Sequence, residues 1–399
     1  MNILILHNLY QKPGGEDVVV RNEAEMLERA GHQVTVERVD NHAIQGFFAK
    51  ARTALRAAYD PARRRWMRGL LERVKPDVVH VHNFFPLLTT AVHAEARACG
   101  VPLIQTLHNF RLFCAAATFE RDGQICELCV QKGRINAVVH RCYRDSIVSS
   151  AAVAAMQYEA VGRRSLIDNV DRFIALTQFA RSKFLECGLP PDKVVVKPNH
   201  LNRSAMPQDL PRHGALFVGR ISKEKGLVSL VEAWRQFPDI PLTIVGDGPL
   251  REDLQAVAPA NVRFLGWLEP GEVDEAMQRA ALLIVPSLWY EGFGMVLIEA
   301  FANGLPVAVS RLGSLAEIVE PGITGDHFTP GDERSIVETV RRILAAPAAL
   351  RQMSANARRV FQEKYSAESN LAMLEAIYAE AIEDARGHLP APSVAPAEP

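Results

Sequence analysis

Short apolar, β-branched runs alternate along this chain with longer stretches whose apolar positions recur every three or four residues. The first periodicity is that of buried strands and the second that of amphipathic helices. Asn2–His7, Gln33–Val39, Asp77–Val81, Leu103–Leu107 and Arg172–Leu176 read as one set of strands. Ala215–Val218, Pro241–Val245, Val262–Leu265, Leu282–Val285 and Val307–Ser310 read as a second. Such alternation predicts parallel sheets with helices on both faces. The stretch from Lys197 to Gly214, rich in proline and polar residues, lacks periodicity and reads as a linker. The expected organisation is an α/β chain of two Rossmann-like, doubly wound domains facing a cleft. Their bounds are 1–198 and 214–367, joined by a linker at 199–213. A closing helix at 368–386 and a proline- and alanine-rich, disordered tail at 387–399 follow.

Composition narrows this picture. A chain of 399 residues exceeds one ordinary core. Its formal net charge of −1 gives no global attraction to nucleic acid. Met1–His7 runs straight into a strand and lacks the features of a signal peptide. No apolar run reaches the roughly 18–20 residues of a spanning helix. The expectation is a cytoplasmic protein whose six cysteines are mostly reduced.

Ligands bind at the carboxyl ends of strands in an open parallel sheet, so the strand ends hold the candidate chemistry. Leu282–Val285 is followed by Glu291-Gly-Phe-Gly-Met-Val-Leu-Ile-Glu299. A helix beginning near Gly294 offers the free amides of its first residues, around Met295 and Val296, to an anion. Glu299 lies in an apolar run, where a carboxylate is costly unless paired. It reads either as an acceptor for ligand hydroxyls or as a paired core acid. Glu291 reads as a contact at the cleft mouth or as a solvated loop residue.

Ala215–Val218 is followed by Gly219-Arg220 and then by Lys225-Gly226, two cations suited to clamping a diphosphate. The turn Gly246-Asp-Gly248-Pro249 ends the next strand and is nonspecific alone. In the first half, Pro13-Gly14-Gly15-Glu16 leads into a helix without the spacing of a P-loop or a Gly-x-Gly-x-x-Gly fingerprint. His108-Asn109 closes Leu103–Leu107. His80, His82 and Asn83 close the preceding strand and line either the acceptor side or nothing but core.

Together these features resemble the retaining glycosyltransferases of family 4, which have the GT-B fold. The resemblance rests on Glu291 to Glu299 (the family's E-x7-E), Gly219-Arg220 with Lys225-Gly226, Gly14-Gly15 and His108, and covers the chain to about Ala385. It implies that Arg220 and Lys225 bind the donor diphosphate and that Glu299 binds the ribose. It implies that Glu291 contacts the donor sugar, and that His108 and Gly15 face the reaction centre. It further implies backbone contacts from Gly294 through Leu297, and a last helix, Glu368–Ala385, packed back on the first domain. The implied activity is transfer of a sugar from a nucleotide-diphosphate sugar to a glycan or lipid-linked acceptor with retention of configuration, in cell-surface polysaccharide or glycoconjugate synthesis. Fixed cations at the leaving group make a catalytic metal unnecessary. A nucleotide-sugar 2-epimerase and a non-catalytic nucleotide-sugar-binding protein are the alternatives.

Two further features stand apart. Cys114, Cys126, Cys129 and Cys142 fall in one segment, with His140 nearby, and suggest a structural zinc site or four reduced thiols. From Phe47 to Lys75 the chain carries Lys50, Arg52, Arg56, Arg63, Arg64, Arg65, Arg68, Arg73 and Lys75 against Asp60 and Glu72. Phe47, Phe48, Tyr59 and Trp66 interleave with them. This reads as a basic amphipathic surface touching anionic lipid at the inner face of the cell membrane, or as a solvated helix face.

Overall fold

The computed structural model describes residues 1–9, 14–202 and 211–387. Pro13, most of the expected linker and all but the first residue of the expected tail lie outside them. Two six-stranded sheets form the framework. The first holds β1 (Asn2–Leu9), β2 (Gln33–Asp40), β3 (Val78–Asn83), β4 (Leu103–Leu107), β7 (Arg172–Ala175) and β8 (Val194–Val196) in the order β2-β1-β3-β4-β7-β8. A two-stranded hairpin, β5 (Glu120–Arg121) with β6 (Gln124–Ile125), interrupts this series in sequence.

The second sheet holds β9 (Ala215–Val218), β10 (Leu242–Val245), β11 (Val262–Gly266), β12 (Leu282–Val285), β13 (Val307–Ser310) and β14 (Gly325–Phe328) in the order β11-β10-β9-β12-β13-β14. Every ladder in both large sheets is parallel. Parallel strands covered on both faces are buried throughout, and every residue of β3, β4, β12 and β13 is buried.

β8, β14 and the hairpin are absent from the sequence reading. β14 reads Gly-Asp-His-Phe and has no strand-like composition. It forms because β13 offers it a complete ladder, from Val307 with Gly325 to Ser310 with Phe328. Tertiary pairing overrides local propensity there.

The order of each sheet locates its crevice. Strand order reverses at β1 and β3 in the first sheet and at β9 and β12 in the second. Crevices at such reversals take ligands at the strands' carboxyl ends. These ends carry Asn8, His82 and Asn83 in the first sheet, and Gly219, Arg220 and Ser287 in the second.

After the second sheet the chain returns to the first. The last helix, Ala367–Gly387, buries Leu374, Ile377, Tyr378 and Ala381. They pack against Ile3, Ile5, Ile104 and Ile174 of the first sheet and against Val20, Ala24 and Leu27 of the first helix, Gly15–Arg29.

The two halves also meet directly. Thr177 and Ser314 hydroxyls lie 3.0 Å apart. The backbone amides of Gln178 and Phe179 donate to the Glu317 carboxylate at 2.8 and 2.6 Å. Tyr290, on the loop after β12, packs its ring 4.8 Å from that of Phe179 and 6.4 Å from those of Phe110 and Phe119.

Candidate active site

Two glycines set the loops of the site close together. Gly226 has φ +70°, and a Cβ there would stand 1.9 Å from the Pro286 carbonyl oxygen. Only glycine lets the turn after β9 approach the end of β12 so closely. Gly292 does the same across the cleft, where a Cβ would stand 2.1 Å from the His108 carbonyl oxygen. The Glu291 loop of the second half thus lies on the His108 turn of the first.

Lys225 and Glu291 meet at the second crevice. Lys225 Nζ is 2.6 Å from Glu291 Oε1, which also accepts from Ser287 Oγ at 2.7 Å and Trp289 Nε1 at 2.9 Å. Lys225 Nζ lies 5.4 Å from the centre of the Trp289 ring. Glu291 is therefore not the solvated loop residue that one sequence reading allows; only 7% of it is exposed. Burial alone would raise its carboxyl. The Lys225 charge and the three hydrogen bonds outweigh that and hold it below the usual carboxylate range. Arg220, by contrast, is exposed and makes no ion pair among the described residues.

The helix Met295–Ala302 starts at Gly294, in a left-handed conformation at φ 93°. Leu297 N–H donates to the Gly294 carbonyl at 3.0 Å. The first turn thus uses the Leu297 amide that the resemblance brings to the ligand, and leaves those of Met295 and Val296 open. Glu299, in the second turn, is half-buried. Gly15 approaches this helix from the opposite half, its Cβ position 3.7 Å from Met295 Cγ.

In the first half the Gly14-Gly15 loop is pinned from both sides. Gly14 N–H donates to Asp17, whose other oxygen is 2.8 Å from His7 Nε2. Asn109 donates to Glu16 at 2.7 Å. His108 Nε2 is 2.9 Å from His82 Nδ1, and both rings border a cavity of about 40 Å³ with Glu16, Asn109 and Arg111. His80 and His82 are buried. They face Glu23, a residue of the first helix that sequence reasoning missed. Its signal was its place on the buried stripe of that helix, between Val19, Val20 and Leu27. Lys197, read only as the start of a linker, is fully buried against the same Glu23.

The four cysteines share a neighbourhood but form no disulfide. Burial first, then Cys114, Cys142 and Cys126, push the Cys129 thiol up to about 11. Among the described residues, the groups of three or more metal-type ligands with all ligand atoms within 4.8 Å comprise Glu23, His80 and His82 alone. Lys197 occupies the remaining oxygen of Glu23 there. His140 is exposed.

In the basic segment, Arg64 and Arg68 are held by the Glu95 carboxylate and Arg56 by Asp60. Arg63 stacks over Trp66 at 5.6 Å. Phe48 and Leu55, two turns apart on the helix Gly46–Arg56, are 88% and 86% exposed. Lys50, Arg52 and Arg56 are exposed beside them. No described helix is long and apolar enough to cross a membrane.

Comparison with known proteins covers both halves. Residues 14–200 match the family model for a glycosyl transferase 4-like domain, and residues 203–360 match that for glycosyl transferases group 1. An uncharacterized glycosyltransferase of Methanocaldococcus jannaschii is 29% identical over 324 residues, 75% of this chain and 74% of that one. A phosphatidyl-myo-inositol mannosyltransferase of Mycolicibacterium smegmatis is 26% identical over 349 residues, 81% of this chain and 79% of that one. The crystal structure of Anabaena HepE in complex with UDP-glucose superposes with a TM-score of 0.66 at 17% identity, covering 94% of this chain and 99% of that one.

The Glu291 pairing has a measurable pH signature. Its carboxyl is depressed in the fold, so its stabilisation is present above the ordinary value of 4.5 and is lost as pH falls through the folded value. Glu291→Gln is expected to cost about 2 kcal/mol at pH 7. The difference in thermal midpoint from the parent should shrink below pH 4.5. A difference that stays constant from pH 7 to pH 3 would contradict an ionised, paired Glu291.

Proposed function

We propose, from the premise that the chain is a glycosyltransferase of the GT-B type, that it moves a sugar from a nucleotide-diphosphate sugar to a glycan or lipid-linked acceptor with retention of anomeric configuration. The observation that carries this reading is the crevice at β9 and β12. It gathers Arg220, Lys225, Glu291 and the start of the helix Met295–Ala302, with His108 and Gly15 facing them. UDP-glucose bound to the HepE structure is consistent with a nucleotide-sugar donor.

In this reading Arg220 and Lys225 take the diphosphate. The amides of Met295 and Val296 hold phosphate or sugar oxygens, and Glu299 takes the ribose. The bond from the anomeric carbon to the phosphate oxygen breaks with its electron pair on that oxygen. The two cations answer the developing charge. The acceptor hydroxyl attacks from the same face, and its proton passes to the departing phosphate. Lys225 already has a partner, so the incoming phosphate shares it with Glu291. Glu291 is thereby placed to contact the donor sugar while it holds the lysine in position.

A panel of UDP-, GDP- and ADP-sugars measured by thermal shift tests the donor. A donor at about 100 times its dissociation constant adds roughly 2.7 kcal/mol of stability. One member is expected to raise the midpoint of the parent and to lose that effect in Arg220→Ala. Proton NMR of the product should then show the donor's anomeric configuration. No response to any nucleotide sugar, or an inverted product, would overturn the reading.

For the acceptor we propose a lipid-linked glycan reached at an anionic membrane surface through Phe48, Leu55, Lys50, Arg52 and Arg56. Co-sedimentation with vesicles containing anionic lipid should fall several-fold in Phe48→Ser/Leu55→Ser and in high salt. Equal sedimentation with neutral vesicles would contradict it.

For the cysteines we propose a structural zinc held by Cys114, Cys126, Cys129 and Cys142; the thiols are the right ligand type, but no three of the four sulfurs all lie within 4.8 Å of one another, so binding would draw them together. Purified chain is expected to carry about one zinc per molecule and to lose thermal stability with a chelator. Metal-free protein of unchanged stability would remove the idea.

A further inference from the structure

Beneath the first crevice lies a chain of polar groups that leads from the last helix to the cleft. Successive strand residues alternate faces, so His80 and His82 of β3 share one face, and Thr106 and His108 continue it from β4. The first helix brings Glu23 onto that face, and the last helix brings Tyr378 and Asn370. Glu23 Oε1 is 3.0 Å from His80 Nδ1 and 3.1 Å from His82 Nε2. Its Oε2 is 3.1 Å from Lys197 Nζ, which donates to Asn370 Oδ1 at 2.7 Å. His80 also meets the Tyr378 hydroxyl at 2.8 Å and the Thr106 hydroxyl at 2.7 Å.

The directions of these hydrogen bonds follow from elementary bookkeeping. Burial would raise the Glu23 carboxyl, but Lys197, His80 and His82 outweigh it and hold the group ionised. An ionised carboxylate only accepts, so His82 Nε2 carries a proton. Burial first, and His80 next, lower His82 to about 4, so the ring is neutral and its Nδ1 is bare. A bare nitrogen accepts, so His108 Nε2, 2.9 Å away, must donate. Burial likewise keeps His108 neutral, which leaves its Nδ1 without a proton.

Among the described residues His82 is the one hydrogen-bond partner of the His108 ring. His108 Nδ1 is not among the buried atoms sealed off without a partner.

We propose that Glu23 and His82 are positioning residues that lock His108 in its Nε2–H form, so that it presents Nδ1 to the cleft as an acceptor for a hydroxyl of the bound sugar donor. This rests on the functional reading above for the identity of the ligand. The lock itself is a property of the ligand-free chain. It assigns His108 a specific duty: its Nδ1 receives a hydrogen bond from the sugar and carries no proton to give to the leaving phosphate. Groups that orient metal-bound histidines are worth roughly 10–100-fold in activity, and an effect of that order is expected for His108.

Nitrogen-15 NMR of the full chain with labelled histidine, His108 being assigned by comparison with His108→Gln, reads the lock directly. The expected spectrum without ligand has a bare Nδ1 and a protonated Nε2 at His108. The stabilising nucleotide sugar should move the Nδ1 resonance toward a hydrogen-bonded position. His82→Phe removes the acceptor, so His108 should become a mixture of both forms, with turnover falling roughly 10–100-fold and donor KM nearly unchanged. His82→Gln can donate to Glu23 and accept from His108, and should restore both the spectrum and most of the turnover. A protonated Nδ1 in the parent chain, or a His108 spectrum unaffected by His82→Phe, would overturn the proposal. A locked His108 in a chain that no nucleotide sugar stabilises would instead defeat the sugar as the ligand of Nδ1, and the functional reading with it.

Discussion

One ionised carboxylate, that of Glu23, constrains much of the first half of this molecule. An isolated charge in such a place is prohibitively costly. The fold compensates it with two histidines of β3 and a lysine just after β8, and that lysine in turn donates to an asparagine of the last helix. Removing one member of such a buried set leaves the others uncompensated, typically at a cost of about 3–5 kcal/mol. The return of the chain from the second sheet to the first is therefore fixed by charge as well as by the apolar contacts of Leu374 and Ile377.

The second half repeats the device on a smaller scale and nearer to solvent. Lys225 and Glu291 neutralise each other before any ligand arrives, and Ser287 and Trp289 complete the carboxylate's hydrogen bonds. The two arrangements meet across the cleft where Gly292 lies on the His108 carbonyl. One side thus holds Lys225 fixed by a carboxylate, and the other holds the His108 ring against His82. Groups set in advance need no reorganisation when charge develops.

Much of this was legible in the sequence. β-branched runs located ten of the strands because a doubly covered parallel strand must be apolar along its length. The glycines and charged residues after β9 and β12 were legible because strand ends are where an open sheet exposes function. β14 was not, since Gly-Asp-His-Phe forms a strand only by virtue of its neighbour β13. The pairing of Lys225 with Glu291 was hidden by their sequence separation of 66. Glu23 is one of several acids on the first helix. Only its register with Val19, Val20 and Leu27 betrays that it points inward. Lys197 sat in a segment without periodicity, and no local pattern marks a lysine destined for burial.

The account joins these parts into one claim, that a nucleotide sugar lies between the two crevices with its diphosphate on the second half and its sugar under His108. A crystal structure of the chain with its stabilising donor bound tests this most directly. The account predicts the diphosphate between Arg220, Lys225 and the start of the helix Met295–Ala302, and a sugar hydroxyl within about 3.2 Å of His108 Nδ1. A donor bound away from Arg220 and Lys225, or a sugar that leaves His108 Nδ1 without a hydroxyl partner, would contradict it.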